Sequence, residues 1–350
     1  MTEPARILVW ADAGQAAMIR AGVAASGTHL VGIGSRNPDT ATELADALSC
    51  SGGRVNDLRQ AIHREDFDLL WLAGREIIER EERKVIRERN LPTISNEPIP
   101  GLVSEVIQNP QEARTAHFVP LMRQSPGVRH GLDLFEQMRG PKMVSITVHR
   151  PPETGSLFAC LYDAMDLLAA FGLSDAVSSV DASLIGSSSP PELPADLEGS
   201  MTLHLRMMGG SSAIIAASNL GVGPQGWTRE VRILNAGEFG SGGDLNSGGD
   251  SYSGGDSYSG GGWMRMTDNS CEIRDISGDL LDSMEHPQSA YAEGGKFIGM
   301  EILRIVKGLD EDDTPHDMAF ILALCEAARL SCRTGQGESP ANILTMLKSP

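Results

Sequence analysis

The sequence predicts a two-part protein: an α/β Rossmann domain with a doubly wound parallel sheet, then an α+β domain with a mainly antiparallel sheet. Three observations carry this expectation. Residues 5–120 alternate short apolar runs with helical stretches, whereas beyond about residue 140 strand-like runs follow one another with few helices between them. The chain of 350 residues also has length enough for two cores of ordinary size. The division is drawn at 120, with the doubly wound domain over 1–120 and the second domain over 121–350.

In the first part, Ile7–Trp10, His29–Gly34, Phe67–Ala73 and Leu91–Ser95 read as buried strands. They are short, branched or aromatic, and bounded by polar turns. Gln15–Ser26, Asp39–Ser49 and Glu76–Arg89 carry helix formers with apolar residues at helical spacing, and Asp57–His63 reads as a shorter helix. Strand and helix alternating in this way imply right-handed crossovers and a sheet covered on both faces. Ligands of such sheets sit beyond the carboxyl ends of the strands.

In the second part, Lys142–His149, Val177–Gly186, Met201–Met207, Ser212–Ser218 and Arg229–Asn235 read as successive strands. Two helical stretches frame them, Leu157–Phe171 and about His286 to Thr334, the latter interrupted near Leu309–Pro315. Ser241–Trp263 repeats a Ser-Gly-Gly-Asp hexapeptide almost without aliphatic residues. Stacked turns of that composition would have no core, so residues 241–262 are expected to form a flexible surface insert rather than a calcium-binding roll.

Composition limits the partners. A net charge of −18 opposes phosphate backbones and anionic lipid, so nucleic acid and membrane surfaces are poor candidates. No basic segment followed by a long apolar stretch opens the chain, and no run approaches the roughly 18 apolar residues of a membrane span. Cys50, Cys160, Cys271, Cys325 and Cys332 are scattered and odd in number, which favours reduced thiols and a cytoplasmic protein. The histidines show no metal-ligand spacing, so no metal is expected.

Four stretches resemble, in order, the family of glucose–fructose oxidoreductase and inositol dehydrogenase, Gfo/Idh/MocA. They are ILVWADAGQAAMI, LVGIGSRNPDTATELADAL, FDLLWLA with its following LPTISNEP, and the ending from FIGMEILRIVKG to AARLSCRTGQ. TGSLFACLYDAMDLLAAFG is similar to the helix that bears the family's catalytic acid and histidine. The likeness spans most of the chain outside the Gly-rich insert. It implies NAD(P)-dependent oxidation or reduction of a sugar or polyol-like substrate, and a homo-oligomer formed through the second-domain sheet.

Carried over residue by residue, the resemblance finds many motif positions substituted. The phosphate turn Gly-x-Gly-x-x-Gly falls on Ala11, Ala13 and Ala16, with Asp12 and Gly14 between them. A Cβ at the first two positions intrudes where the backbone turns tightly and nears a pyrophosphate, and Asp12 adds a negative charge there. Ser35 and Arg36 end the second strand, a pairing that suits the 2′-phosphate of NADP better than NAD. Ala73 and Pro98 complete the implied cofactor contacts.

Glu-Lys-Pro becomes Asn96, Glu97 and Pro98, so glutamate stands at the lysine position. The Asp-x-x-x-His pair falls on Ala159 and Asp163, with Asp166 three residues on. Oxidising a hydroxyl requires a base to remove its proton. Glu97 and Asp163 are the candidate bases, with Tyr162 or His149 as candidate acids. Two readings follow: an oxidoreductase with substituted proton-transfer groups, or a catalytically silent relative that serves as a binding or scaffold subunit.

Overall fold

Ile7, Leu8, Val9 and Trp10 are all buried, as a strand covered on both faces requires. They form most of β1 (Arg6–Trp10), the centre of a six-stranded parallel sheet. The computed structural model describes residues 3–348 except 51, 65, 76–77, 136–137, 139, 187–189, 222–225, 237–260, 287–293 and 309–316. The expected flexible insert and the interruption near residues 309–315 fall almost wholly outside the described residues.

Around β1 the chain winds α1 (Ala16–Ser26), β2 (His29–Gly34), α2 (Pro38–Ala47), β3 (Arg54–Val55) and α3 (Leu58–His63). It continues through β4 (Leu69–Leu72), α4 (Arg80–Glu88), β5 (Thr93–Ser95), α5 (Val103–Gln108) and β6 (His117–Phe118). Local chemistry sets the helix ends. The Asn37 side chain accepts from Asp39 N with Pro38 at the first helical position of α2, and Asp57 accepts from Arg59 N at the start of α3. The strand order is β3-β2-β1-β4-β5-β6, all neighbours parallel.

The second sheet has eight strands in the order β14-β13-β12-β11-β7-β10-β9-β8. They are β7 (Lys142–His149), β8 (Val177–Ile185), β9 (Ser200–Met207), β10 (Ser212–Ser218), β11 (Thr228–Asn235), β12 (Gly262–Thr267), β13 (Ser270–Asp275) and β14 (Leu280–Glu285). All pairings are antiparallel except β7 with β10. One face packs on α6 (Pro126–Phe135), α7 (Leu157–Ala170) and α9 (Met318–Thr334), where Val144, Ile146, Val148 and Leu203 meet Leu161, Met165 and Leu324. The chain ends in α10 (Pro340–Lys348).

Helix α8 (Gly294–Val306) returns to the first sheet, where Ile298 and Ile302 join Ile19, Met18 and Trp71 in one apolar cluster. The approach to α1 is close. A Cβ added at Gly299 would lie 2.4 Å from the Gly22 carbonyl oxygen.

The mixed-charge stretch 80–89 differs from the exposed face that its sequence implies. Arg83 is buried against Glu112 at 2.5 Å and Glu105 at 2.9 Å, so only part of α4 is solvated. Met208 follows β9 in a short turn and stands exposed. Among the described residues no helix is long and apolar enough to cross a membrane, and no cluster of His, Cys, Asp and Glu is placed to hold a metal.

Candidate functional site

The sheet order reverses between β1 and β4, so the loops after these strands border the crevice where ligands of such sheets bind. Ala11 is buried, and its N–H continues the sheet to the Gly34 carbonyl at 2.9 Å. Asp12 turns its carboxylate across the crevice and accepts from Arg75 N at 2.7 Å. Its own N–H donates to Gln15 Oε1 at 2.8 Å. The buried Gln15 amide donates to the carbonyls of Ala73 at 2.8 Å and Glu153 at 2.9 Å. Arg75 pairs with Glu198 and donates to the Pro152 carbonyl at 2.9 Å. Side chains thus tie the two loops to each other and to the segment after β7.

The helix end beside them is open. Ala13 and Gly14 are exposed, and α1 begins at Ala16 with no side-chain cap. Gly14 takes a φ of +83°, with nothing within 4 Å of the place a Cβ would occupy. An uncapped N-terminus with clear space above a left-handed glycine has the donors and the room for a phosphate. The Asp12 charge is directed at Arg75 N rather than at this helix. Ser35 is buried and donates its N–H to the Val55 carbonyl, while Arg36 is exposed at the same edge.

Beyond β5, Asn96 is fully buried and accepts from the Trp71 indole at 3.0 Å, which fixes the chain leading to Glu97. Glu97 is 5% exposed. One carboxyl oxygen accepts from Ser156 N and the other from Ser156 Oγ, both at 2.6 Å. Ser156 also caps α7 by accepting from Ala159 N. Burial pushes the Glu97 carboxyl up to about 7, although the Ser156 hydrogen bonds and the nearby Arg75 and Arg150 charges draw it down. Beside it lies a cavity of about 100 Å³ bounded by Pro98, Ile99, Phe158 and Pro194.

Asp163 occupies a different setting, fully buried in a charge network. One oxygen accepts from Arg150 Nη2 and, at 3.1 Å, from Arg229 Nη1, and the other from Met122 N at 2.6 Å. Arg229 continues to Asp268 at 2.6 Å, and the Trp227 indole donates to Asp268 at 3.0 Å. Two guanidinium groups and two carboxylates therefore balance inside the protein.

The structure does not gather all four expected proton-transfer groups. Strand alternation puts Val148 on the core face and His149 on the opposite face of the sheet, away from α7. His149, a candidate acid, therefore lies on the face of the sheet opposite to α7. Tyr162 points away from the Glu97 cavity into a separate one, edge-on to Phe118 with ring centroids 5.1 Å apart, and burial pushes its hydroxyl up. Ser156, Gln15 and Arg75 escape sequence reasoning because serine, glutamine and arginine carry no spacing signal. Only the helix-initiating Thr-Gly-Ser before α7 hints at Ser156.

No family model matches the sequence, and no curated protein matches it. Solved structures do match. Levoglucosan dehydrogenase in complex with NADH and L-sorbose aligns with TM-score 0.64 and 14% identity over 97% of this chain and 99% of that one. The WlbA dehydrogenase of Bordetella pertussis, in complex with NADH and UDP-GlcNAcA, gives 0.60 and 16% over 96% and 99%. An Agrobacterium radiobacter oxidoreductase with NAD+, L-tartaric acid and magnesium gives 0.60 and 15% over 98% and 100%. These likenesses establish the fold alone, a parallel sheet followed by a mainly antiparallel one.

Proposed function

We propose that this chain is a nicotinamide-dinucleotide oxidoreductase acting on a hydroxyl of a sugar- or polyol-like compound, with Glu97 as its proton-transfer group. The observation that carries the reading is the Glu97 carboxyl, buried at the crevice end of β5 with a pKa of about 7. A general base works best when its pKa lies near the operating pH. The division into a nucleotide domain over 1–120 and a second domain over 121–350 belongs to the same proposal.

The open end of α1 at Ala13 and Gly14 would take the pyrophosphate, and Ser35 with Arg36 the adenosine ribose. Ala73 and Pro98 would border the nicotinamide. Arg36 favours NADP, since a guanidinium pairs with a 2′-phosphate. When bound, the cofactor supplies the hydride acceptor. Glu97 takes the hydroxyl proton, while Ser156 holds its two oxygens in place. The 100 Å³ cavity is smaller than the roughly 300–1,000 Å³ of ligand pockets. A sugar therefore enters only when part of the cavity wall moves aside.

Titration with NADPH and NADH tests the proposal. Saturable micromolar binding of either is expected; no binding at millimolar concentration would overturn it. In that case the second reading, a silent binding or scaffold subunit, takes its place. Asp12 across the crevice mouth favours that alternative, and Ala11→Gly with Ala13→Gly would then be expected to restore affinity.

Assembly is proposed to be a homo-oligomer formed through the open face of the eight-stranded sheet. Met143 and Leu234, both exposed, pair in register there, with Trp263 beside them. Light scattering should report a dimer or larger, and a monomer at about 50 μM would sink this assembly, given interfaces of ordinary affinity.

A further inference from the structure

We propose that a second cavity, on the far side of the Glu97 loop, is a small-molecule site for an uncharged hydroxylated aromatic compound. The cavity measures about 740 Å³, within the roughly 300–1,000 Å³ range of ligand pockets. It opens between α5, α7 and the start of α9, and it shares only Ile99 with the cavity beside Glu97.

Its walls differ in chemistry. Tyr162 and Asp166 lie one turn apart on α7 and so line the same side. Arg123 reaches Asp166 at 2.6 Å. The remaining wall is apolar at Val106, Phe118 and Met318 and polar at His117, Asp317 and Lys348. Burying an ion pair and a phenol in a cavity wall costs free energy that an apolar wall would not. Such an arrangement therefore points to a ligand that uses them.

The chemistry of that ligand follows from the wall. Arg123 and Lys348 offset Asp166 and Asp317 among the charged residues of the lining, so the wall attracts no net ion. The Tyr162 hydroxyl has no hydrogen-bond partner among the described residues and stays protonated through burial. It can donate to or accept from a ligand hydroxyl, and Asp166 can accept from one. The apolar residues of the lining, Phe118 among them, suit an aromatic body. The site does not depend on the dinucleotide reading, because no part of the crevice between β1 and β4 enters it.

The test uses 2-naphthol, whose fluorescence reports binding, with naphthalene as the probe lacking a hydroxyl. Saturable binding of one 2-naphthol per full-length chain is expected. Tyr162→Phe should weaken 2-naphthol about tenfold, the worth of one buried hydrogen bond, and leave naphthalene unchanged. Ala113→Trp and Ala319→Trp each fill the cavity from a different wall, and either variant that retains the wild-type circular dichroism should abolish binding. Absence of saturable binding to the wild type would overturn the proposal. So would full affinity in a folded tryptophan variant, or equal response of both probes to Tyr162→Phe.

Discussion

Between pH 5 and pH 8 the chain should lose about 2–3 kcal/mol of unfolding free energy relative to its Glu97→Gln variant. The fold raises the Glu97 pKa from its ordinary 4.5 to about 7, so the native state holds a proton that the unfolded chain releases. The stability contributed is complete below pH 4.5 and disappears as the pH rises through 7. Glutamine keeps the shape and an amide oxygen that can still accept from Ser156, but it has no proton to lose. Urea unfolding of both proteins across this range, compared as a difference, cancels the other titrating groups. Superimposable pH profiles would mean that Glu97 is already ionised throughout. Under the proposed function the same variant should lower turnover about 10²–10⁴-fold, the usual contribution of a general base.

Asp163→Asn should cost about 3–5 kcal/mol, because it leaves Arg150 and Arg229 buried with Asp268 as the remaining carboxylate of the network. Thermal denaturation reads this as a large drop in midpoint. A second substitution, Arg150→Met, removes the surplus charge and should recover part of the loss, which a double-mutant cycle measures. The contrary result is an unchanged midpoint with abolished turnover. It would return Asp163 to the catalytic role that its place in the motif implies and remove it from the framework.

Much of the first sheet was legible because its strands are short apolar runs and its helices carry apolar residues at helical spacing. His29–Gly34 and Ser212–Ser218 coincide with the strands observed. Two-residue strands such as β3 and β6 carry too few side chains for any period to emerge. Helix α6 went unread because Gly127 and Gly131 lower helix propensity. The structure shows why they stand there. A Cβ at Gly127 would lie 2.3 Å from the Thr267 carbonyl, and one at Gly131 2.1 Å from the Met266 sulfur. Strands β12–β14 follow the Gly-rich repeat, whose composition obscures the start of regular structure.

The site was legible only where a motif position marked it. Glu97 and Asp163 were found at the places of the missing lysine and histidine, yet their fates differ. Asp163 is claimed by Arg150 and Arg229, residues 13 and 66 positions away along the chain. No local pattern announces such a meeting, since each arginine alone reads as an ordinary charge at a strand end. Glu97 escapes because Ser156, not an arginine, makes the hydrogen bonds to its carboxyl, and that was visible only once α7 was seen to begin at its side.

The packing of α8 on α1 bears on how the nascent chain folds. Met18, Ile19 and Trp71 leave the ribosome early, but Ile298 and Ile302, which cover them, follow only near the end of synthesis. At about 5–20 residues per second, that apolar face stays open to water for on the order of tens of seconds. Throughout that interval the first sheet resembles a half-covered layer and offers a ready surface to chaperones. An N-terminal fragment ending near residue 120 would remain in that state permanently, prone to aggregate however complete its strand order.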